Sequence, residues 1–276
     1  MSLITDMKPH EVTQLSVSPA RTMPLLDPEA LLAQSEPLFP LEARVHVWSF
    51  SLEGSADVTR HCRDCLSPAE RHRADRFVFP RDRIRYTIAH GVLRHLLGRY
   101  LAVSPGSLEF SASAAGKPAL LQPAATAPHF NLSHSDERAL LGVSAGHELG
   151  IDLEKERSNI EALAISRHYF FGSEREAIER APPDVRDNVF FRYWVAKEAV
   201  LKAQGVGLGF PLDRFRVDFL QDGHRARIET LDPDRLEGAW TVRMLPGETD
   251  WPAAVAARGE DWDIAIEGLA HGSSGP

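Results

Sequence analysis

Four kinds of segment occur in a fixed order and then occur again. Arg44–Leu52 alternates Val45 and Val47 with His46 and Trp48, the two-residue period of a strand. Ser67-Pro68-Ala69-Glu70 has the residues of a capped helix start, with Ser at the N-cap, Pro at the first helical position and Glu at the third. A longer amphipathic helix fits Arg83–Leu101, through Ile84, Ile88, Val92, Leu96, Leu97 and Leu101, and Ser107–Ser113 reads as a short strand. The same order returns as the strand Gly150–Glu154, a helix start at Gly172-Ser173-Glu174, a helix through Trp194 and the strand Phe215–Asp218. Across the last three pairs the offset stays near 106 or 107 residues, while residue identity between the two stretches is low. What recurs is topology. It predicts an α+β fold of two similar α+β halves related by a pseudo-twofold axis, and ligand sites favour interfaces of that kind.

The boundaries follow from where this pattern starts and stops. Residues 1–41 are rich in Pro and Ser and read as an N-terminal arm, partly disordered; 42–146 form the first half, 147–268 the second, and 269–276 a flexible tail. Phe130–Ser135 reads as a short polar turn before an apolar strand, Ala139–Val143. Arg225–Leu231, Trp240–Met244 and Trp251–Ala257 supply further strands of the second half, and Trp262–Ile266 adds an edge strand to it. Asp6, Lys8, His10 and Glu11 interrupt any apolar targeting segment, and no stretch has the apolar length of a membrane span, so the expected location is cytoplasmic, without a membrane partner. Cys62 and Cys65 form a lone C-x-x-C with no second ligand pair, which fits two reduced thiols better than zinc.

Charge narrows the partners. A net charge of −8 excludes general nucleic-acid binding. Arg60–Tyr100 nevertheless carries ten arginines against four acids, a local excess suited to a small polyanion or an acidic partner surface.

Trp194, Glu198 and Lys202 stack at i, i+4 and i+8 on one face of a helix that Pro182-Pro183 keep from starting much earlier and that Gly205 and Gly207 stop. Taken alone, a Glu followed by a Lys at i+4, as Glu198 and Lys202 are, is most often a solvated helix pair. The strand Gly150-Ile151-Asp152-Leu153-Glu154-Lys155 adds weight to a functional role, because Asp152 and Glu154 project from one strand face. Two carboxylates so placed raise each other's pKa unless a cation lies between them. With Glu198 they make three oxygen ligands suited to Mg²⁺, with Mn²⁺ as an alternative. Lys202 would neutralise a leaving phosphate, and Glu198 would accept a proton from an attacking hydroxyl. Ser133 and His134 offer an O–H and a ring N–H to phosphate oxygens, and Lys117 and the Arg-rich helices add positive charge. This is equipment for phosphoryl transfer without a Walker or G-x-G-x-x-G loop. Lys197 points about 100° away from Glu198 around the helix and reads as structural.

Four motifs in order give the chain a resemblance to a known family: G-K-P at Gly116–Pro118, F-N-L-S-H-S at Phe130–Ser135, G-I-D-L-E-K at Gly150–Lys155 and W-V-A-K-E-A-V-L-K at Trp194–Lys202. Over roughly residues 42–260 the chain resembles the two-half, monomeric (Sfp-like) 4′-phosphopantetheinyl transferases. The resemblance implies their pseudo-dimeric α+β fold, and Mg²⁺-dependent transfer of 4′-phosphopantetheine from coenzyme A to a serine of an acyl, peptidyl or aryl carrier protein, releasing 3′,5′-ADP. It implies Asp152, Glu154 and Glu198 as metal ligands, Glu198 as the group that activates the serine, and Lys202 as the stabiliser of the departing phosphate. It places Ser133 and His134 on coenzyme A phosphates, Lys117 at the adenine nucleotide, and Arg73, Arg85 and Arg76 at the 3′-phosphate. The chain departs from the pattern at Glu70, where some relatives carry a basic residue. Two rival readings use the same acids: a metal-dependent phosphohydrolase acting on nucleic acid, and a coenzyme A-binding or carrier-docking module without turnover. The first is opposed by the net charge, and the second by the intact set of three carboxylates and Lys202.

Overall fold

The computed structural model describes residues 22–39, 43–113, 116–121, 127–158, 160–234 and 236–268. The elements in chain order begin with helix α1 (Pro28–Leu32), strand β1 (Arg44–Ser51) and helices α2 (Ala56–Cys65), α3 (Pro68–Asp75) and α4 (Pro80–Leu101). Strands β2 (Phe110–Ala112), β3 (Pro118–Leu120), β4 (His129–Ser135) and β5 (Arg138–Ser144) complete the first half. The second half runs β6 (Leu149–Leu153), α5 (Ala162–Tyr169), α6 (Gly172–Arg180), α7 (Arg186–Gln204), β7 (Phe215–Phe219), β8 (Arg225–Thr230), β9 (Trp240–Met244) and β10 (Ala253–Arg258), and β11 (Asp263–Ile266) follows.

Element by element, β1, three helices and four strands are matched by β6, three helices and four strands. The lateral order matches too. The second half forms one sheet, β6-β10-β9-β8-β7; the first orders its equivalents β1-β5-β4, with the β2-β3 hairpin as a separate sheet whose β3 lies against β4. Two departures from the sequence reading stand out. Strand β11 does not extend the second sheet but returns to pair in parallel with β1, Arg44 opposite Asp263, covering the otherwise open edge of the first sheet. Of the expected N-terminal arm, residues 1–21, 40 and 41 lie outside the described residues, as does the tail 269–276; Leu26 bridges to Phe50, and Leu31 of α1 is 1% exposed in the first core.

Three apolar clusters hold the layers together. One lies between β1, β5 and the face of α4 formed by Ile88, Val92 and Leu96, and a second between α7 and strands β7 to β10. The third joins the two sheets through Val45, Val47 and Leu140 against Ile151, Leu153 and Val255. Strand β1 is therefore buried on both faces, which its alternating pattern did not show. Helix α4 starts at Pro80, earlier than the Arg83 expected from the apolar period, with the proline at its first helical position. Helices α2 and α4 touch at Gly91, where a Cβ would lie 2.3 Å from that of Cys62. Both cysteines are free thiols, and burial pushes Cys62 up to about 12. Among the described residues no helix is long and apolar enough to cross a membrane.

The repeated helix starts carry the same polar strut. Glu70, third residue of α3, accepts the N–H of its own cap, Ser67, at 2.8 Å and pairs with Arg94 of α4 at 2.8 Å. Arg94, 1% exposed, then donates to the carbonyls of Pro105 and Leu108. In the second half Glu174 accepts from Phe171 N–H at 3.0 Å and pairs with Lys197 of α7 at 2.9 Å, and Lys197, 0% exposed, donates to the carbonyls of Leu212 and Phe215. Burial opposes the ionisation of Glu70, but the His90 ring 3.5 Å away, the hydrogen bonds with Ser67 and the charge of Arg94 bring it down to about 2. The acid at position 70 is thus part of the frame, and Lys197 is structural.

Candidate active site

Helix α7 lies directly on strand β6. A Cβ on Gly150 would stand 2.1 Å from the Ala199 carbonyl oxygen and 2.3 Å from the Ala203 nitrogen, so only glycine permits the approach. The contact brings Glu198 and Lys202 of the helix to Asp152 of the strand. Lys202 Nζ lies 2.6 Å from Asp152 Oδ1 and 2.9 Å from Ser133 Oγ, which itself donates to Asp152 Oδ1 at 2.9 Å.

The three acids strain against one another. Burial raises the pKa of Asp152 against the opposing pull of Lys202 and Ser133. Burial and then the Asp152 charge raise Glu154. Burial, the Asp152 charge and the nearby Glu154 together push Glu198 up to about 7, although Lys202 draws it the other way. Among the described residues, no three His, Cys, Asp or Glu side chains are gathered closely enough to hold a metal ion as they stand. The donor set nonetheless fits one: Asp152 Oδ2 and Glu198 Oε1 are buried oxygens with no hydrogen-bond partner among the described residues, in a cluster short of positive charge.

The first half contributes its edge. Along β4, alternate side chains reach across to β6: Asn131 Oδ1 accepts the Ile151 N–H at 2.9 Å, Ser133 holds Asp152, and Ser135 Oγ donates to Glu154 Oε2 at 2.8 Å. This corrects the reading of Phe130–Ser135 as a polar turn. Asn and Ser suit turns when their side chains bond locally; here every second one is satisfied by the facing half, and the segment pairs as a regular strand with β5.

His134 points away from that seam, exposed at the surface. Loss of solvation first, then the charges of His90, Lys202, Arg73 and Arg85, lower its pKa. Among the described residues Arg73 has no carboxylate partner, and it lies over the Tyr86 ring, 5.7 Å from its centroid.

Similarity to known proteins fits this geometry. Residues 148–256 match the 4′-phosphopantetheinyl transferase superfamily, and residues 53–145 match the N-terminal region of 4′-phosphopantetheinyl transferases. The chain is 35% identical over 223 residues to the 4′-phosphopantetheinyl transferase HetI of Nostoc sp., a match that covers 80% of this chain and 91% of that protein. This chain belongs to the 4′-phosphopantetheinyl transferase family. The Sfp enzyme of Bacillus subtilis is 30% identical over 158 residues, covering 57% of this chain and 68% of that one. The human L-aminoadipate-semialdehyde dehydrogenase-phosphopantetheinyl transferase is 31% identical over 163 residues, covering 55% and 52%.

In this phosphopantetheinyl transferase the sites expected from sequence fall into two groups. Lys202 and Ser133 meet at Asp152, Glu154 and Glu198 lie within reach of the Asp152 charge, and His134 lies within reach of the charges of Lys202 and Arg73. Three others are placed differently. Lys117 directs its ammonium to the carbonyls of Leu149 and Ala203, at 3.1 and 2.6 Å, closing the C-terminal end of α7. Arg85 faces the cluster but is ion-paired with Asp136, with Glu53 and Glu137 close by. Arg76 caps α3, is exposed, and makes no side-chain hydrogen bond or ion pair among the described residues. Sequence reasoning missed Gly150, Asn131 and Ser135 as parts of the site. The period-two N-x-S-x-S within Asn131–Ser135 was the available signal.

Proposed function

We propose that this enzyme transfers the 4′-phosphopantetheine group of coenzyme A to a serine hydroxyl of an acyl, peptidyl or aryl carrier protein, in a magnesium-dependent reaction that releases 3′,5′-ADP. The observation that carries the reading is the pair of buried oxygens, Asp152 Oδ2 and Glu198 Oε1, that find no hydrogen-bond partner among the described residues, beside Lys202 in a chain of this family.

Asp152, Glu154 and Glu198 would hold the divalent ion, which when bound neutralises charge on a diphosphate. Glu198, with its affinity for a proton raised to about 7, takes the proton of the carrier serine, directly or through one water. The serine oxygen forms a bond to the β-phosphorus of coenzyme A as the bond from that phosphorus to the 3′,5′-ADP oxygen breaks. Lys202 stabilises the charge that collects on the departing ADP. Asp152 keeps the Lys202 ammonium in place at 2.6 Å. Arg73 and His134 are the groups best placed for coenzyme A phosphates, because Arg73 has no carboxylate partner among the described residues and His134 is exposed amid positive charge. The site draws side chains from both halves of one chain, which supports a monomer as the catalytic unit. The net charge of −8 supports a protein partner over nucleic acid.

Intact-mass analysis of several apo-carriers after incubation with the enzyme, coenzyme A and Mg²⁺ tests the reading. It expects one carrier to gain a single phosphopantetheine on serine. A panel left unmodified, with coenzyme A intact, would count against it.

A further inference from the structure

Of the three acids, Glu154 is the least constrained by secondary structure. Asp152 lies within β6 and is gripped by Lys202 and Ser133; Glu198 sits on a helix of 19 residues. Glu154 falls just beyond the last residue of β6, and among the described residues its carboxylate makes one hydrogen bond, from Ser135 Oγ at 2.8 Å.

Ser135 is built to make that bond in one direction. The Lys155 N–H donates to its oxygen at 3.2 Å, which leaves the hydroxyl proton to point at Glu154. Its side chain is buried, with the residue 7% exposed. The next residue, Asp136, adopts a left-handed conformation with φ of 48° in the turn from β4 to β5. Arg85 and Lys155 both clamp Asp136, Lys155 Nζ at 3.3 Å, so the strand end that carries Ser135 is held from two sides.

We infer that Ser135 is a positioning residue that fixes the Glu154 carboxylate as the third ligand of the divalent ion, with Arg85 and Lys155 fixing Ser135 through Asp136. The inference rests on the reading of Asp152, Glu154 and Glu198 as the metal-binding acids. Partners that orient a metal ligand typically matter about 10- to 100-fold in metal affinity.

The test is direct titration of Mn²⁺ in the presence of coenzyme A, followed by electron paramagnetic resonance, on wild type, Ser135→Ala and Ser135→Thr. Ser135→Ala should weaken Mn²⁺ binding about 10-fold with an unchanged melting temperature, and Ser135→Thr, which restores the donor, should return affinity to within a few-fold of wild type. Equal affinity in wild type and Ser135→Ala overturns the positioning role while leaving the metal site intact. Failure of Ser135→Thr to rescue, with the protein folded, overturns it as well. Absence of Mn²⁺ binding to wild type overturns the metal reading itself, and the positioning role with it.

Discussion

Lys202 Nζ lies 2.6 Å from Asp152 Oδ1, and the other oxygen of the same carboxylate, Oδ2, is buried without a hydrogen-bond partner among the described residues. One acid thus orients the cation assigned to the leaving group and keeps a lone oxygen for a second positive charge. The two roles separate experimentally.

Lys202→Met removes the ammonium and keeps the hydrophobic stem. If the lysine stabilises charge that develops during transfer, kcat falls about 100- to 1,000-fold while KM for coenzyme A stays within a few-fold. Steady-state kinetics with a purified apo-carrier measure both. A rise in KM alone would assign Lys202 to ground-state binding instead.

Gly150→Ala tests the contact that brings α7 to β6. A methyl group 2.1 Å from the Ala199 carbonyl oxygen must push the helix off the strand, with a loss of about 1–3 kcal/mol in chemical denaturation. Transfer activity at saturating substrates should fall at the same time, because Glu198 and Asp152 part. Gly172→Ala is the control: its nearest atom is the end of the Arg175 side chain at 3.6 Å, and it should change neither quantity appreciably.

Glu198 gives a pH signature of known sign. Its pKa in the fold, about 7, lies above the ordinary 4.5, so the metal-free protein carries an ionisation penalty at pH above 7 that vanishes as pH falls through 7 towards 4.5. Glu198→Gln should therefore stabilise metal-free protein at pH 8, by about 1–3 kcal/mol, with no gain near pH 4.5, while abolishing transfer. Thermal melts across that range decide it; a gain that grows as pH falls would contradict the assignment.

The struts yield a stability prediction. Glu174→Gln leaves Lys197 buried at 0% exposure without its counter-charge, and should cost about 3–5 kcal/mol in urea unfolding. The double variant Glu174→Gln/Lys197→Met should recover much of that loss, since no buried charge then lacks a partner. Activity per folded molecule should survive in both, because neither residue touches the reacting groups.

What the sequence made legible was whatever local chemistry decides. The box at Ser67–Glu70, the stop at Gly205 and the stacking of Glu198 over Lys202 all depend on residues within a turn or two of one another, and they form as expected. The repeat of element order was readable because each half needs the same alternation of strand and helix. What was not legible depends on distant partners. Asn131, Ser133 and Ser135 look like a turn until β6 is set beside them. Lys117 looks like a free cation until the end of α7 offers it carbonyls, and Arg85 until Asp136 folds back on it. Strand β11 belongs to the first sheet only because the edge of β1 is open at that point, a fact of the assembled fold and not of residues 262–266.

The account stands on Asp152, Glu154 and Glu198 jointly binding a divalent ion that transfer requires. The most direct measurement is intact mass of an apo-carrier incubated with coenzyme A and chelator-stripped enzyme, titrated with Mg²⁺, for wild type and Asp152→Asn. The account predicts an unmodified carrier without metal, one added phosphopantetheine on Mg²⁺ addition to wild type, and no product with Asp152→Asn at any Mg²⁺ concentration that saturates wild type. Full modification by the stripped enzyme, or by Asp152→Asn, would contradict it.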